Sequence, residues 1–212
     1  MMEMIYLVSL LLGYTIGSFP TAYIVLKRFK SIDITTAGTG NVGAMNSYEV
    51  TNSKGIGIIV FIFDFLKGIV PILLLSILGI KSFSFYAVSL LGCIYAHCYN
   101  PWLKLKGGRG LASAAGGTAI IFPFVLVIWG ICWLIFYLFK KDITIANVAA
   151  SSIVLLIIAL SLKTAMNYAY PKPESEAVLF LFSLGLFIVI LSKHTEPIQT
   201  LFNDMKARGG KN

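Results

Sequence analysis

Long uncharged runs dominate the hydrophobic pattern of this chain. Residues 4–26, 82–96, 110–139, 143–162 and 177–192 hold no Asp, Glu, Lys or Arg, and residues 55–80 hold only Asp64 and Lys67. A helix that crosses a bilayer needs about 20 apolar residues, so each run predicts a membrane segment. The 30-residue run is the informative one. As a single helix it would be about 45 Å long, against a hydrocarbon core of about 30 Å. Pro123 stands in its middle, and the part before it is rich in Gly, Ala, Ser and Thr, which suits close helix packing. The pattern therefore predicts two segments there and seven in all. The first of the two is short, so its ends must be buried in protein or water. The first run, 4–26, is too long for a signal-peptide core and lacks a basic flank, and is expected to be a retained span.

Charge distribution then sets the orientation. With seven segments, 13 of the 17 basic residues fall on one side. Only Lys81, Lys163 and Lys172 fall on the other, and Lys67 is inside a span. Reading residues 110–139 as one helix reduces the split to nine against seven. The positive-inside rule selects the first arrangement, with the N-terminus outside and the C-terminus in the cytoplasm. The expected fold is thus an all-α polytopic membrane protein. It has one membrane-embedded domain over 1–202 and a polar cytoplasmic tail over 203–212.

Composition agrees: 58% of the 212 residues are hydrophobic and 12% are charged, against about 25% charged in soluble domains. The net charge of +8 lies between apolar runs, so membrane orientation explains it and nucleic-acid binding is not expected. Cys93, Cys98 and Cys132 form no CxxC and sit in or beside apolar runs, which argues against disulfides and a zinc knuckle.

Three stretches on the predicted cytoplasmic side carry candidate chemistry. Gly38-Thr39-Gly40-Asn41-Val42-Gly43-Ala44-Met45-Asn46 crowds glycines with Thr and Asn, which allows backbone N–H groups to converge on an anion. A flexible connection between spans would look the same. Lys104-Leu105-Lys106-Gly107-Gly108-Arg109-Gly110 sets three cations before a small-residue helix, and both cations and a helix N-terminus favour a phosphate. A purely topogenic basic loop is the competing reading. His97 and His194 each end an apolar run, and an ionisable residue there suggests function or a ring satisfied by backbone carbonyls. No carboxylate or Cys pair accompanies them, so no metal is expected. Asp64 and Lys67, at i and i+3, read as a neutralising ion pair, or as an ion path in a transporter. Gly17-Ser18-Phe19-Pro20 predicts a kink that delivers Ser18 to a site, and Thr144 is either a helix cap or a site residue.

Together these stretches resemble the bacterial acyl-phosphate-dependent glycerol-3-phosphate acyltransferases. The resemblance runs from about Gly13 to Leu201 and rests on Gly17–Pro20, Gly38–Asn46, Asp64-Phe65-Leu66-Lys67-Gly68, and His97 followed by Lys106–Gly110. It implies a seven-segment fold and acyl transfer from acyl phosphate to the 1-hydroxyl of glycerol 3-phosphate, with no cofactor. It implies His97 and Asn41 in catalysis. Substrate binding falls to Ser18, Gly38, Thr39, Gly40, Gly43, Asn46, Lys104, Lys106, Gly107, Gly108, Arg109, Thr144 and His194. Met45, Glu49 and Pro197 depart from the family pattern, and Glu49 stands where the family carries an Arg. A different acceptor, a non-catalytic partner subunit and a transporter are the other readings.

Overall fold

A computed structural model describes residues 1–195 and Gln199. Pro197 and the 203–212 tail lie outside the described residues. The described residues are helical, with no strand among them. Four apolar helices reach spanning length, counting Met2–Lys30 as one. That first helix is broken. α1 (Met2–Gly17) stops at Ser18, and α2 (Thr21–Lys30) restarts after Pro20 with Lys27, Arg28 and Lys30 in its last turn. The span expected over 4–26 is therefore shorter than the uncharged run, because Pro20 supplies no N–H to continue the helix.

The chain continues through α3 (Ala44–Thr51), α4 (Lys54–Ile77) and α5 (Phe83–Cys98) to a 3-10 turn at Pro101–Leu103. The 30-residue run divides at Pro123 into α6 (Leu111–Ile121) and α7 (Pro123–Lys140). α8 (Ile143–Leu160), α9 (Leu162–Ala165) and α10 (Glu176–Ser192) complete the bundle. The break at Phe122 frees the Ile121 carbonyl, and the Tyr170 N–H donates to it at 2.8 Å. The short α6 thus ends against protein, as apolar surroundings require.

Small residues bring the central helices close. A Cβ on Gly13 or Gly17 of α1 would overlap the backbone of Ser89 or Cys93 in α5. A Cβ on Gly68 of α4 would strike Ser113 and Gly117 of α6, and one on Gly116 would strike Phe65. Contact this close lets side chains bond to a neighbouring helix backbone. Ser113 Oγ donates to the Asp64 carbonyl at 2.9 Å, and Cys93 Sγ to the Lys67 carbonyl at 3.2 Å.

The two ends of the bundle differ. At one end Glu174 accepts from Ser82 and Ser84, and Tyr6 donates to Ser84 at 3.0 Å, tying α1, α5 and the segment before α10. Partial burial pushes the Glu174 carboxyl up, but these hydrogen bonds outweigh it and hold it below the usual range. The Gly-rich and basic loops meet at the opposite end.

Candidate active site

The Gly-rich loop is built around Asn46, which is 2% exposed. Its Nδ2 donates to the Ala37 carbonyl at 3.1 Å and the Asn41 carbonyl at 2.9 Å, while Oδ1 accepts from the Thr39 N–H at 3.0 Å. Gly38 (φ 58°) and Gly40 (φ 71°) take the left-handed backbone that this curl needs. Asp33 accepts from the Thr35 N–H and hydroxyl at the loop's entry, and those bonds hold its carboxyl below the usual range.

The second loop docks on the first. The Val42 N–H donates to the Gly107 carbonyl at 3.1 Å, and Lys106 Nζ donates to the Thr35 carbonyl at 3.3 Å. Behind them, the Gly108 N–H donates to the His97 carbonyl at 3.1 Å. A Cβ on Gly107 would overlap the His97 and Cys98 carbonyls, and one on Gly108 would overlap the His97 ring. Gly107 and Gly108 are thus needed for close contact, whereas Gly38 and Gly40 are needed for conformation.

Two helix N-termini open on this junction. α3 begins after Gly43 and α6 after Gly110, and neither has a side-chain cap. α1, α2, α5 and α7 also lack a side-chain cap, so what sets α3 and α6 apart is that they start beside the basic loop. Uncapped first-turn N–H groups carry partial positive charge and bind anions. Lys104 and Lys106 are exposed beside them, and Arg109 is half-buried. Burial pulls the Arg109 guanidinium down from its usual range, and the Glu49 carboxylate partly offsets that. The Asn41 side-chain amide makes no protein hydrogen bond among the described residues and lies next to Gly43.

His97 lines the inside of the junction and is 6% exposed. Its Nδ1 lies 3.7 Å from Asp64 Oδ1, and the same oxygen lies 2.6 Å from Lys67 Nζ. The first distance is too long for a hydrogen bond but close enough for strong charge interaction. Its Nε2 side abuts Gly108. The expected Asp64–Lys67 pair is present and extends to His97, a link that 33 residues of separation concealed.

Other candidate residues are engaged by protein. Ser18 Oγ donates to the Thr15 carbonyl at 2.8 Å and accepts from Trp102 Nε1 at 3.2 Å. The Ser18 carbonyl accepts from Asn100 Nδ2 at 2.7 Å, so the kink anchors the 3-10 turn. Thr144 is not the cap of α8, because Asp142 is. Trp133 Nε1 can only donate, and it donates to Asn147 Oδ1 at 2.8 Å. The amide NH2 of Asn147 therefore faces His194 Nε2, 3.3 Å away. His194 Nδ1 then donates to the Ile190 carbonyl at 2.8 Å. Both ring nitrogens of His194 are occupied, through partners that gave no motif in the sequence.

This geometry defines a helical integral membrane protein with a cationic, glycine-lined loop junction at one end of its bundle. Residues 7–204 match the glycerol-3-phosphate acyltransferase family, and the chain belongs to that family. It is 28% identical to a glycerol-3-phosphate acyltransferase of Campylobacter lari, over 95% of this chain and 98% of that protein. It is 30% identical to one of Clostridium acetobutylicum over 68% of this chain and 76% of that protein. Its fold matches the crystal structure of PlsY, an integral membrane glycerol 3-phosphate acyltransferase, in its glycerol 3-phosphate form. The TM-score is 0.75 at 26% identity, covering 94% of this chain and 92% of that one.

Proposed function

We propose that this chain transfers a fatty acyl group from acyl phosphate to the 1-hydroxyl of glycerol 3-phosphate, giving lysophosphatidic acid and inorganic phosphate. The observation that carries this reading is the bond from Val42 N–H to the Gly107 carbonyl. It joins two glycine loops so that two uncapped helix N-termini and Lys104, Lys106 and Arg109 border one space. The protein works as one membrane-embedded unit over residues 1–202. It crosses a bacterial inner membrane with seven segments, N-terminus outside, and its site faces the cytoplasm.

The acceptor oxygen attacks the acyl carbonyl carbon, a new C–O bond forms, and the bond from that carbon to the phosphate oxygen breaks. Phosphate is a good leaving group, so no covalent enzyme intermediate is needed. Catalysis then comes from positioning and from charge held where the oxyanion develops. The Gly38–Gly43 backbone and the free Asn41 amide polarise the carbonyl, while Lys104, Lys106 and Arg109 hold phosphate. His97, with Asp64 behind its Nδ1, presents Nε2 to the acceptor hydroxyl and takes its proton. Asn46 and Ser18 build the site's walls, and His194 supports α10 beside it. The acyl chain lies in an open groove of about 510 Å³ whose lining is apolar apart from Lys54 and includes Met45, Tyr48, Ile58 and Phe61, and which starts where the Gly-rich loop ends.

Purified protein given a long-chain acyl phosphate and glycerol 3-phosphate should form lysophosphatidic acid and inorganic phosphate in equal amounts. His97→Ala and Lys106→Ala should each lower kcat/KM by about 100-fold while keeping the thermal midpoint. Phosphate release without lysophosphatidic acid, or wild-type turnover no higher than that of these variants, would sink the reading.

The Glu49 charge acting on Arg109 favours a second version, in which the preferred acceptor is less anionic than glycerol 3-phosphate. Glu49→Gln should then lower KM for glycerol 3-phosphate by about threefold. An acceptor panel run on both proteins checks this, and an unchanged KM removes Glu49 from acceptor choice.

A further inference from the structure

The inner ends of α5 and α10 are joined by a contact outside the residues assigned above. Ser192 Oγ donates to the Val189 carbonyl at 2.7 Å, so the Tyr99 hydroxyl, 2.7 Å away, is the donor in its bond to Ser192. That bond fixes the Tyr99 ring. Lys193 Nζ lies over the ring face, 4.7 Å from its centroid. The lysine is half-buried, and among the described residues no carboxylate is within ion-pair distance of it.

Its neighbours belong to the site. Tyr99 follows His97 by two residues, at the same end of α5. A Cβ on Gly110 would touch Cys98 of α5 and lie 3.9 Å from Ile190 of α10, so the basic loop closes against these same two helix ends. An aromatic face holds a cation without neutralising it, whereas a carboxylate would cancel its charge. The ammonium is thereby placed, ordered and still free to bind an anion.

We propose that Lys193, seated on Tyr99, is a further substrate-binding cation that contacts a phosphate oxygen on the α10 side of the site. The inference rests on the acyl-transfer reading above. The phosphate is that of the acyl donor or of glycerol 3-phosphate, and separate KM measurements distinguish them.

Lys193→Met should raise KM for one of the two phosphates by about tenfold, with kcat within about twofold. Lys193→Arg should stay within about threefold of wild type. Tyr99→Leu should reproduce the KM increase without changing any charge, and the double variant should be no worse than the worse single, since both act through one contact. A binding measurement runs in parallel. Glycerol 3-phosphate and inorganic phosphate should each raise the thermal midpoint of wild type, and Lys193→Met should weaken the rise for the phosphate seated there. Unchanged KM values for both substrates in folded Lys193→Met would overturn the proposal. So would a fall in kcat and thermal midpoint that Lys193→Arg does not restore. Absence of acyl transfer in wild type would remove the reading above instead, and the midpoint shifts would still decide whether Lys193 binds phosphate.

Discussion

Asp64→Ala should yield a protein whose thermal midpoint falls by on the order of 10 °C and whose acyl transfer is lost. Asp64 and Lys67 are 2% and 6% exposed and lie 2.6 Å apart in the middle of α4. Removing one partner leaves a buried ammonium without a counter-charge, which costs about 3–5 kcal/mol. For a chain of this size that corresponds to a shift of roughly 6–20 °C. The pair also supports chemistry through the contact of Asp64 with His97 Nδ1. Stability and chemistry separate in the double variant Asp64→Leu with Lys67→Leu. Apolar residues replace both charges there, and such replacements are often neutral or stabilising. Its thermal midpoint should return to near the wild-type value. Its turnover should remain at least about 100-fold down, because His97 no longer faces a carboxylate that stabilises its protonated form. A stable double variant with full activity would reduce Asp64 to a counter-ion for Lys67.

The wider lesson lies in which features local chemistry announces. Pro123 and the small residues before it announced the α6–α7 break, since proline stops a helix wherever the chain goes. The two glycine loops announced a tight backbone curl and a close approach beside positive charge, because glycine and lysine carry their preferences in their own covalent structure. The Asp64–His97 contact carried no such mark. It exists because Gly68 lets α4 approach α6 and because α5 packs beside both. The resemblance implies substrate binding for Asn46, yet its three bonds go to the backbone of the loop. Asn147 lay unnoticed in an uncharged run, and only the packing of α7, α8 and α10 gives it Trp133 and His194 as partners. The amphipathic helix α2 passed partly as the end of the first span, and the short polar helix α3 passed as loop. Ser18 sits at the expected kink, but only its partners Thr15, Asn100 and Trp102 show what it touches, and Thr144 does not cap α8. Features set by one residue's conformational limits were legible, while features set by where a neighbouring helix falls were not.

Asn46→Ala should leave the membrane helices folded and lower kcat/KM for acyl transfer by about 100-fold or more. The side chain makes three hydrogen bonds, all to the backbone of residues 37–41, and none to another helix. Each is worth about 0.5–1.5 kcal/mol net, so their loss is enough to uncurl residues 37–41, although Ile34 and Val42 on either side stay packed in an apolar cluster with Ala22, Leu26 and Val60. The core clusters of α4 to α10 do not include Asn46, so the global thermal midpoint should move little. What goes is preorganisation: the N–H groups of residues 38–43 no longer converge, and Val42 no longer holds the Gly107 carbonyl in register. A misplacement near 1 Å in such a site costs about 100-fold. Asn46→Asp is the sharper form of the experiment. Its carboxylate can still accept from the Thr39 N–H, but it offers the Ala37 and Asn41 carbonyls no N–H donors and puts negative charge beside the anion site. It should therefore be at least as inactive as Asn46→Ala and show higher KM values for both phosphate substrates. Limited proteolysis should cut both variants between residues 37 and 43 under conditions that spare wild type. Should Asn46→Asp keep native KM values, the loop that Asn46 shapes does not hold phosphate.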